Sequence, residues 1–223
     1  MSDRNPESVT GDPRRAFQFL ETNERGTKPR EVGVTEIRGP YYSVMGPNYL
    51  EDVLSTMGHY VDALKFAGGS FTLMPEEEVT TLLDLAHEHE VLVSTGGFAE
   101  YVLTQGEEAV RRYIEECRRL GFDIIEVSAG FITLPTEDWL RIIEAVQEAG
   151  LKAKPEVGIQ FGAGGGATST EELEQIGQQD PAQAISQART FLEAGVHQVM
   201  IESEGITENV PEMRTGIPAR FID

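Results

Sequence analysis

A lysine and a glutamate stand two positions apart near the end of a short β-rich stretch, residues 152–158, which reads Lys-Ala-Lys-Pro-Glu-Val-Gly. Side chains two apart on a strand point to the same face, so Lys154 and Glu156 would lie side by side. Pro155 lacks an amide donor, which suits a strand end better than its middle. A glycine-rich run follows at 162–166, and glycines let the backbone approach a ligand closely. The stretch therefore predicts a strand that leads into a binding loop.

Carboxylates recur where other β-rich runs end, together with hydroxyl and cationic side chains. The chemically active residues at these ends are Arg38, Lys65, Ser94, Thr95, Glu126, Ser128, Glu202 and Glu204. Glu126, Glu156 and Glu202 at one mouth would repel one another unless a cation neutralised them, and Mg²⁺ is a natural partner for oxygen ligands. The alternative for Glu126 and Glu202 is structural, namely core carboxylates paired with lysine.

Cations and glycines at the same ends predict a site for a small anionic substrate. Lys65, Lys154 and Arg38 would bind such a substrate or stabilise negative charge that develops during a reaction. We therefore predict that Lys65, Lys154 and Glu156 are catalytic. Backbone amides at glycine exits can hold phosphate oxygens. The predicted substrate-binding residues are Arg38, Gly68, Gly96, Gly97, Ser128 and Gly158.

The elements that would position these residues alternate between strand and helix, with a spacing of about 30 residues. Strands are predicted at 32–38, 61–66, 91–97, 124–130, 152–158 and 199–205, and helices at 49–59, from 75, at 107–120, from 136 and at 181–194. Such alternation implies parallel strands. We predict an α/β fold of the (β/α)8 TIM-barrel type that is short at its C-terminus, with six βα units visible. A doubly wound sheet also fits the alternation, but no strand is followed by the dinucleotide fingerprint.

Composition limits the partners and the number of domains. The chain has 223 residues and a net charge of -20, from 38 acidic and 18 basic residues, which disfavours nucleic acid and anionic lipid as partners. We predict a flexible segment at 1–14, one barrel domain at 15–223, and a cytoplasmic, halophilic protein. Residues 209–220 are predicted to form an irregular tail or one short helix. An open array of six strands would expose two edges, and a homo-oligomer would cover them. Cys117 is the single cysteine, and we predict a packing role for it.

Several blocks in a fixed order resemble the phosphosulfolactate synthase family, in particular the branch that contains the plant heat-stress-associated proteins and their microbial relatives. The blocks lie at 28–30, 33–38, 62–70, 73–75, 93–96, 115–123, 152–155, 193–195 and 200–202, within a match from about residue 15 to 205. The resemblance implies a (β/α)8 barrel and the Mg²⁺-dependent addition of sulfite to phosphoenolpyruvate, a step of coenzyme M biosynthesis. It implies that sulfite attacks C2 and that C3 is then protonated. The positions that match the family's strand ends are Lys65, Gly96, Gly97, Glu126, Ser128, Glu156, Gly158 and Glu202.

The chain also departs from the family's pattern at four places. Ile159 and Gln160 stand where the synthases usually have lysines, and Lys154 is the expected substitute. Ala129 replaces an acid, and Ser-Glu-Gly at 203–205 replaces an expected Arg-Glu-Ser. Two further functions therefore stay open: a non-catalytic stress-associated barrel, and an aldolase-like lyase that forms a Schiff base through a lysine.

Overall fold

Six parallel strands form the sheet in the order in which they occur along the chain. The computed structural model describes residues 16–39, 45–128, 132, 134–159, 181–196, 198–208 and 210–222. The strands are β1 Glu36–Arg38, β2 Ala63–Lys65, β3 Leu92–Ser94, β4 Ile124–Val127, β5 Lys152–Val157 and β6 Met200–Ile201. The predicted flexible segment at 1–14 and the glycine-rich run at 162–166 lie outside the described residues.

Helices connect successive strands, as parallel pairing requires. They are α1 Pro47–Met57, α2 Glu76–Glu88, α3 Ala99–Leu103, α4 Glu107–Leu120, α5 Thr136–Glu148, α6 Ala182–Glu193 and α7 Gly216–Ile222. The short helix α3 was not predicted, and α7 begins at Gly216, within the last part of the predicted tail at 209–220. None of these described helices is both long enough and apolar enough to cross a membrane.

The helix α4 shows how local sequence sets these elements. Glutamates occupy its first turn and arginines its last turn, which complements the helix dipole at both ends. Gly121 ends the helix in the left-handed conformation with φ 100°, which suits glycine. The helix buries Ile114 and Cys117. Burial raises the pKa of Cys117 to about 12, so its thiol stays protonated and serves packing.

The two faces of the sheet differ in polarity because apolar and polar residues alternate along the strands. Leu64, Val93 and Ile125 point outward and belong to one buried apolar cluster with residues of α2, α5 and α6. Their neighbours along the chain point to the opposite face, which carries Lys65, Ser94 and Glu126 together with the apolar Ala63, Leu92 and Ile124. The helices therefore cover an apolar core on the outside, and the inner face is left for chemistry.

The sheet is curled into a partial barrel, as contacts across its inner face show. Lys154 on β5 lies 2.6 Å from Glu36 on β1, and Lys65 on β2 lies 3.4 Å from the sulfur of Met200 on β6. In a flat sheet, strands four places apart would be separated by roughly 19 Å, beyond the reach of these side chains. The predicted fold class is confirmed: the described chain is an α/β fold, a (β/α) barrel of six strands.

A short strap, residues 25–35, closes the amino-terminal end of the sheet around Asp62. The carboxylate of Asp62 accepts hydrogen bonds from Arg30 at 2.7 Å, from Arg25 at 3.3 Å and from the backbone N–H of Thr35 at 2.7 Å. Asp62 is only 7% exposed, so two arginines and an amide neutralise an otherwise costly buried charge. The strap fixes the point at which the chain enters β1.

Several strands are shorter than predicted, because the residues that pair in the sheet are only part of each apolar run in the sequence. The first strand was predicted at 32–38, but the pairing with β2 begins at Glu36. The sixth was predicted at 199–205, and β6 pairs with β5 only at Met200 and Ile201. Before the strap, Phe17 and Phe19 lie in a turn and are 69% and 81% exposed.

Candidate active site

The ladders bring the predicted cations and one carboxylate to the inner face of the sheet. Arg38 is opposite Lys65, and Lys65 is opposite Ser94 on β3. Further around the sheet, Glu126 is opposite Lys154. Paired residues of parallel strands point to the same face, so all five side chains are on the inner side of the sheet, with Arg38 exposed at the end of β1. Alternation along the strands was sufficient to predict this convergence.

Glu126 is the centre of a buried ion-pair cluster. Its Oε2 lies 2.7 Å from Lys65 Nζ and its Oε1 lies 2.7 Å from Lys154 Nζ. The hydroxyl of Ser94 donates a further hydrogen bond to Oε1 at 3.0 Å. Glu126 is 0% exposed, and the side chains of Lys65 and Lys154 are 13% and 7% exposed. One fully buried carboxylate therefore holds both predicted catalytic lysines.

Two residues that sequence reasoning left out of the candidate site complete this cluster. Glu36 Oε1 is 2.6 Å from Lys154 Nζ, and the Met200 sulfur is 3.4 Å from Lys65 Nζ. Glu36 stands two positions before Arg38 on β1, so period-two alternation could have placed it on the same face. Met200 offered no such signal, because a methionine on a strand usually indicates packing.

Glu156 and Glu202 form a second acidic pair at the carboxyl ends of β5 and β6. Burial raises the pKa of Glu156 to about 8, and a hydrogen bond and repulsion from Glu202 add to the rise. Burial alone would raise the pKa of Glu202, but hydrogen bonds from Glu156 and from the backbone N–H groups of Glu204 and Ser203 outweigh it and leave the pKa lowered. The Ser203 amide donates to Glu202 at 2.7 Å. Near neutral pH the pair therefore holds one proton, on Glu156.

This acidic pair is also the part of the predicted magnesium site that the geometry fits best. Two carboxylates in contact can exchange their shared proton for a divalent ion, which prefers oxygen ligands. The two lysines already neutralise Glu126, so it does not stand beside the pair as a third acidic donor. Within the described ranges, no group of three or more histidine, cysteine or acidic side chains could hold a metal ion. The three-carboxylate site thus stays a prediction, and Glu156 with Glu202 would hold the ion.

The glycines that follow strands β2 and β3 have distinct roles. Gly96 has a φ of 64°, and a Cβ there would lie 2.0 Å from the carbonyl oxygen of Phe66, so this glycine is required by the fold. A Cβ on Gly97 would lie 3.1 Å from Ser128 Oγ. That hydroxyl is buried and has no hydrogen-bond partner among the described residues. Gly68 faces open space. Gly97 and Ser128 therefore lie side by side, and their assignment as substrate-binding residues stays a prediction.

Changing Gly96 to alanine is expected to lower the free energy of unfolding by about 3 kcal/mol. The added methyl group would clash with the Phe66 carbonyl and would also occupy a left-handed conformation. Gly33→Ala is the matched control, because Gly33 has nearly the same φ of 65° with no atom within 4 Å of the added Cβ. Urea denaturation of both variants measures the difference. Equal losses would show that only the backbone conformation, and not the contact with Phe66, requires glycine.

The remaining predicted positions are less informative. Gly158 is buried directly after β5, and Arg38 lies at the exposed end of β1. Ile159, which stands where the synthases usually have lysine, is buried in a small apolar cluster with Ile206 and Ile217. Ala129 and Gln160 lie outside the described residues. The departure at 159 therefore replaces a charge by apolar packing.

An open cavity of about 610 Å³ reaches the cluster from the amino-terminal ends of the strands. Arg30 of the strap and its partner Asp62 line this cavity, together with Ala63, Ile124 and Lys154. A second cavity of about 780 Å³ lies outside the sheet, between α2 and α4, and its described lining includes none of the candidate site residues. Of these two cavities, only the first leads to Lys154.

Comparisons with known proteins agree with one another on the family. A family model described as (2R)-phospho-3-sulfolactate synthase (ComA) matches residues 23–223. Protein HEAT-STRESS-ASSOCIATED 32 of Arabidopsis thaliana is 38% identical over 92% of this chain and 74% of its own length. Phosphosulfolactate synthase of Methanothermobacter thermautotrophicus is 28% identical over 87% of this chain and 69% of its own.

Among solved structures, the carboxyl transferase domain from Rhizobium etli pyruvate carboxylase, in a structure with pyruvate, is similar with a TM-score of 0.50. The match is 14% identical and covers 84% of this chain and 30% of that one. At this identity the likeness concerns the fold alone. It agrees with the barrel seen in the strand order and in the contacts across the interior.

Proposed function

Because the chain belongs to the (2R)-phospho-3-sulfolactate synthase (ComA) family, we propose that it is a phosphosulfolactate synthase-like lyase. It adds sulfite to phosphoenolpyruvate, uses Mg²⁺, and works in the cytoplasm as a homo-oligomer. The observation that carries the proposal is the pair of buried lysines held on the inner face beside the Glu156–Glu202 pair. Two cations beside a proton- or metal-binding acid pair suit a substrate that carries both a phosphate and a carboxylate.

The structure of the family's product, (2R)-phospho-3-sulfolactate, shows which bonds form in the reaction. The sulfonate is on C3 and the phosphate ester is on the stereocentre C2, so the sulfite sulfur bonds to C3 and a proton goes to C2. The two positions are therefore exchanged relative to the expectation from the sequence, which was attack at C2 and protonation at C3. As the C3–S bond forms, the electron pair of the C2=C3 double bond moves towards the carboxylate and makes an enolate-like anion. Protonation at C2 then completes the addition, and no bond to phosphorus breaks.

The residues of this chain would act mainly through electrostatics. The ammonium groups of Lys65 and Lys154 would stabilise the enolate-like charge in a site from which water is largely excluded. One of these ammonium groups would also deliver the proton to C2. The hydroxyl of Ser128, beside Gly97, has no hydrogen-bond partner in the described part of the chain and would bind a substrate oxygen. A magnesium ion held by Glu156 and Glu202 would supply further positive charge for the phosphate and the carboxylate.

Phosphorus NMR tests the proposal directly. The purified protein is incubated in high salt with phosphoenolpyruvate, sulfite and Mg²⁺, and parallel samples lack sulfite or contain a chelator. We expect a new phosphorylated product that needs both sulfite and the metal. If a folded sample gives no conversion, this chain does not catalyse the reaction. Conversion that continues with the chelator present would remove Mg²⁺ from the proposal.

A second candidate function is a non-catalytic stress-associated barrel. The apolar packing of Ile159 with Ile206 and Ile217 favours it, because the position of an expected lysine contributes to stability here. The similarity to a plant heat-stress-associated protein is compatible with it. Absence of conversion in the NMR experiment, from a sample that unfolds cooperatively in urea, would support this alternative.

The aldolase-like alternative has less support. A Schiff base requires a lysine nitrogen that is free to attack a carbonyl, whereas Lys65 and Lys154 are each held by Glu126 at 2.7 Å. Borohydride trapping with a keto acid separates this case, since sulfite addition needs no imine. A mass increase on either lysine after reduction would support the aldolase-like alternative.

A further inference from the structure

A carboxylate on the first strand reaches across the barrel to the second lysine of the candidate site. Glu36 Oε1 lies 2.6 Å from Lys154 Nζ, although β1 and β5 are not neighbours in the sheet. We propose that Glu36 is a positioning residue that aims the ammonium group of Lys154 at the substrate. As far as catalysis is concerned, this inference rests on the proposed function. The geometry of the contact can be tested without it.

The number of hydrogen-bond donors on lysine explains why a second carboxylate matters. An ammonium group has three N–H donors in a tetrahedral arrangement. Glu126 Oε1 lies 2.7 Å from Lys154 Nζ, and Glu36 Oε1 lies 2.6 Å from it on the β1 side. The ammonium group donates a hydrogen bond to Glu36 and forms an ion pair with Glu126, and these two contacts on different strands limit the directions of its remaining N–H donors. With Glu126 alone, the group could rotate about that single contact.

The balance of charge in the cluster also supports a role for Glu36 in holding Lys154. Glu126 faces both Lys65 and Lys154, so without Glu36 one carboxylate would have to balance two buried lysines. With Glu36, two carboxylates alternate with two ammonium groups along a chain that crosses the interior. Alternation of this kind lowers the cost of burying charge, since each ion has an opposite charge in contact. Glu36 thus allows Lys154 to stay buried and charged.

The backbone around Glu36 is fixed well enough to act as a support. Glu36 pairs in the ladder with Ala63, whose small side chain leaves the inner face open for the longer glutamate. Immediately before it, the N–H of Thr35 donates to Asp62 at 2.7 Å, and the carbonyl of Thr35 accepts from the Asp62 N–H at 2.8 Å. The Glu36 side chain is 26% exposed. A partly exposed acid on a clamped strand suits a positioning role better than a direct chemical one.

The test uses Glu36→Gln and the NMR signals of the lysine ammonium groups. The chain has only four lysines, Lys28, Lys65, Lys152 and Lys154, so single Lys→Arg variants assign each signal. An ammonium group held by two carboxylates exchanges its protons slowly with water and gives a sharp ¹H–¹⁵N signal. At fixed pH, in a chelator, we expect E36Q to broaden or remove the Lys154 signal and to leave that of Lys28. Glu24→Gln, which removes an exposed charge, should change neither.

Lys28 reports the fold in the same spectrum, because it donates to the carbonyls of Gly58 and His89, away from the cluster. An unchanged Lys154 signal in E36Q would overturn the proposal. Should E36Q also lose the Lys28 signal, Glu36→Asp decides: it keeps the charge but shortens the reach, so a weakened Lys154 signal supports positioning and an unchanged one contradicts it. The NMR result stands even if the protein proves to have no synthase activity.

Kinetics provide the second measurement where the synthase reaction is observed. We expect E36Q to lower kcat on the order of 10- to 100-fold, with KM for phosphoenolpyruvate changed less than about threefold, because a misaimed group costs more in the transition state than in the ground state. A rise in KM with unchanged kcat would show that Glu36 affects substrate binding instead, and would overturn the positioning role.

Discussion

Replacing Glu126 with glutamine is expected to lower the free energy of unfolding by about 3–5 kcal/mol. Glu126 is 0% exposed, and each of its oxygens faces one lysine at 2.7 Å. A neutral amide in its place would leave two buried ammonium groups close together, with Glu36 as the remaining carboxylate contact of Lys154. Urea denaturation at constant high salt measures the loss.

The control for this change is Glu148→Gln, at the exposed last position of α5, where we expect a change within about 0.5 kcal/mol. A loss below about 1 kcal/mol for E126Q would contradict the view that the cluster is held by its central carboxylate. The triple variant Glu126→Leu, Lys65→Met, Lys154→Met adds a further comparison. Apolar replacement of buried ion pairs is often neutral or stabilising, and the remaining Glu36 side chain is 26% exposed to water, so stability should recover while any synthase activity is lost.

The second large effect concerns pH, through Glu156. Its pKa is raised from 4.5 to about 8 in the folded protein, chiefly by burial, so the folded state binds more protons than the unfolded state between these values. The free energy of unfolding should therefore fall as the pH rises from about 5 to about 8, by at most about 5 kcal/mol, and this contribution is constant above that range. Glu202, whose pKa is lowered, acts in the opposite direction and below about pH 4.5.

Glu156→Gln should remove most of this slope, since glutamine resembles the protonated acid at every pH. We expect the variant to match the parent protein near pH 5 and to be the more stable of the two near pH 9, in urea denaturation with a chelator present. Glu148→Gln should keep the parent slope. An E156Q slope equal to that of the parent would mean that Glu156 is ionised at neutral pH, and would remove the shared proton from the acidic pair.

Alternation along the strands explains why much of the candidate site could be predicted from sequence. Lys65, Glu126 and Lys154 each stand on an inward position of a strand whose neighbours are apolar, and the ladders place them together. Alternation along the strands does not predict which of these charged side chains form ion pairs with one another. Whether Glu126 binds a metal or a lysine depends on distances across the barrel, which the local pattern does not contain.

Glu36 and α3 were missed for related reasons. Glu36 becomes important only because the sheet curls far enough to bring β1 opposite β5, and curvature is a property of the whole sheet. Helix α3 spans only Ala99–Leu103, too short for a periodic apolar pattern to be recognised. The fold class was predictable because strict alternation of strands and helices extends over most of the chain.

The sequential order of the strands has a consequence for synthesis on the ribosome. Each strand pairs with the one made just before it, so the sheet can grow as the chain emerges, without waiting for distant segments. The contacts of Glu36 with Lys154 and of Lys65 with Met200 are exceptions, since their partners are 118 and 135 residues apart. Until β5 emerges, Glu126 has Lys65 but not Lys154, and Glu36 has no lysine to face. We expect nascent chains that end before residue 152 to be open and readily cleaved by proteases, and the curl to form in one late step.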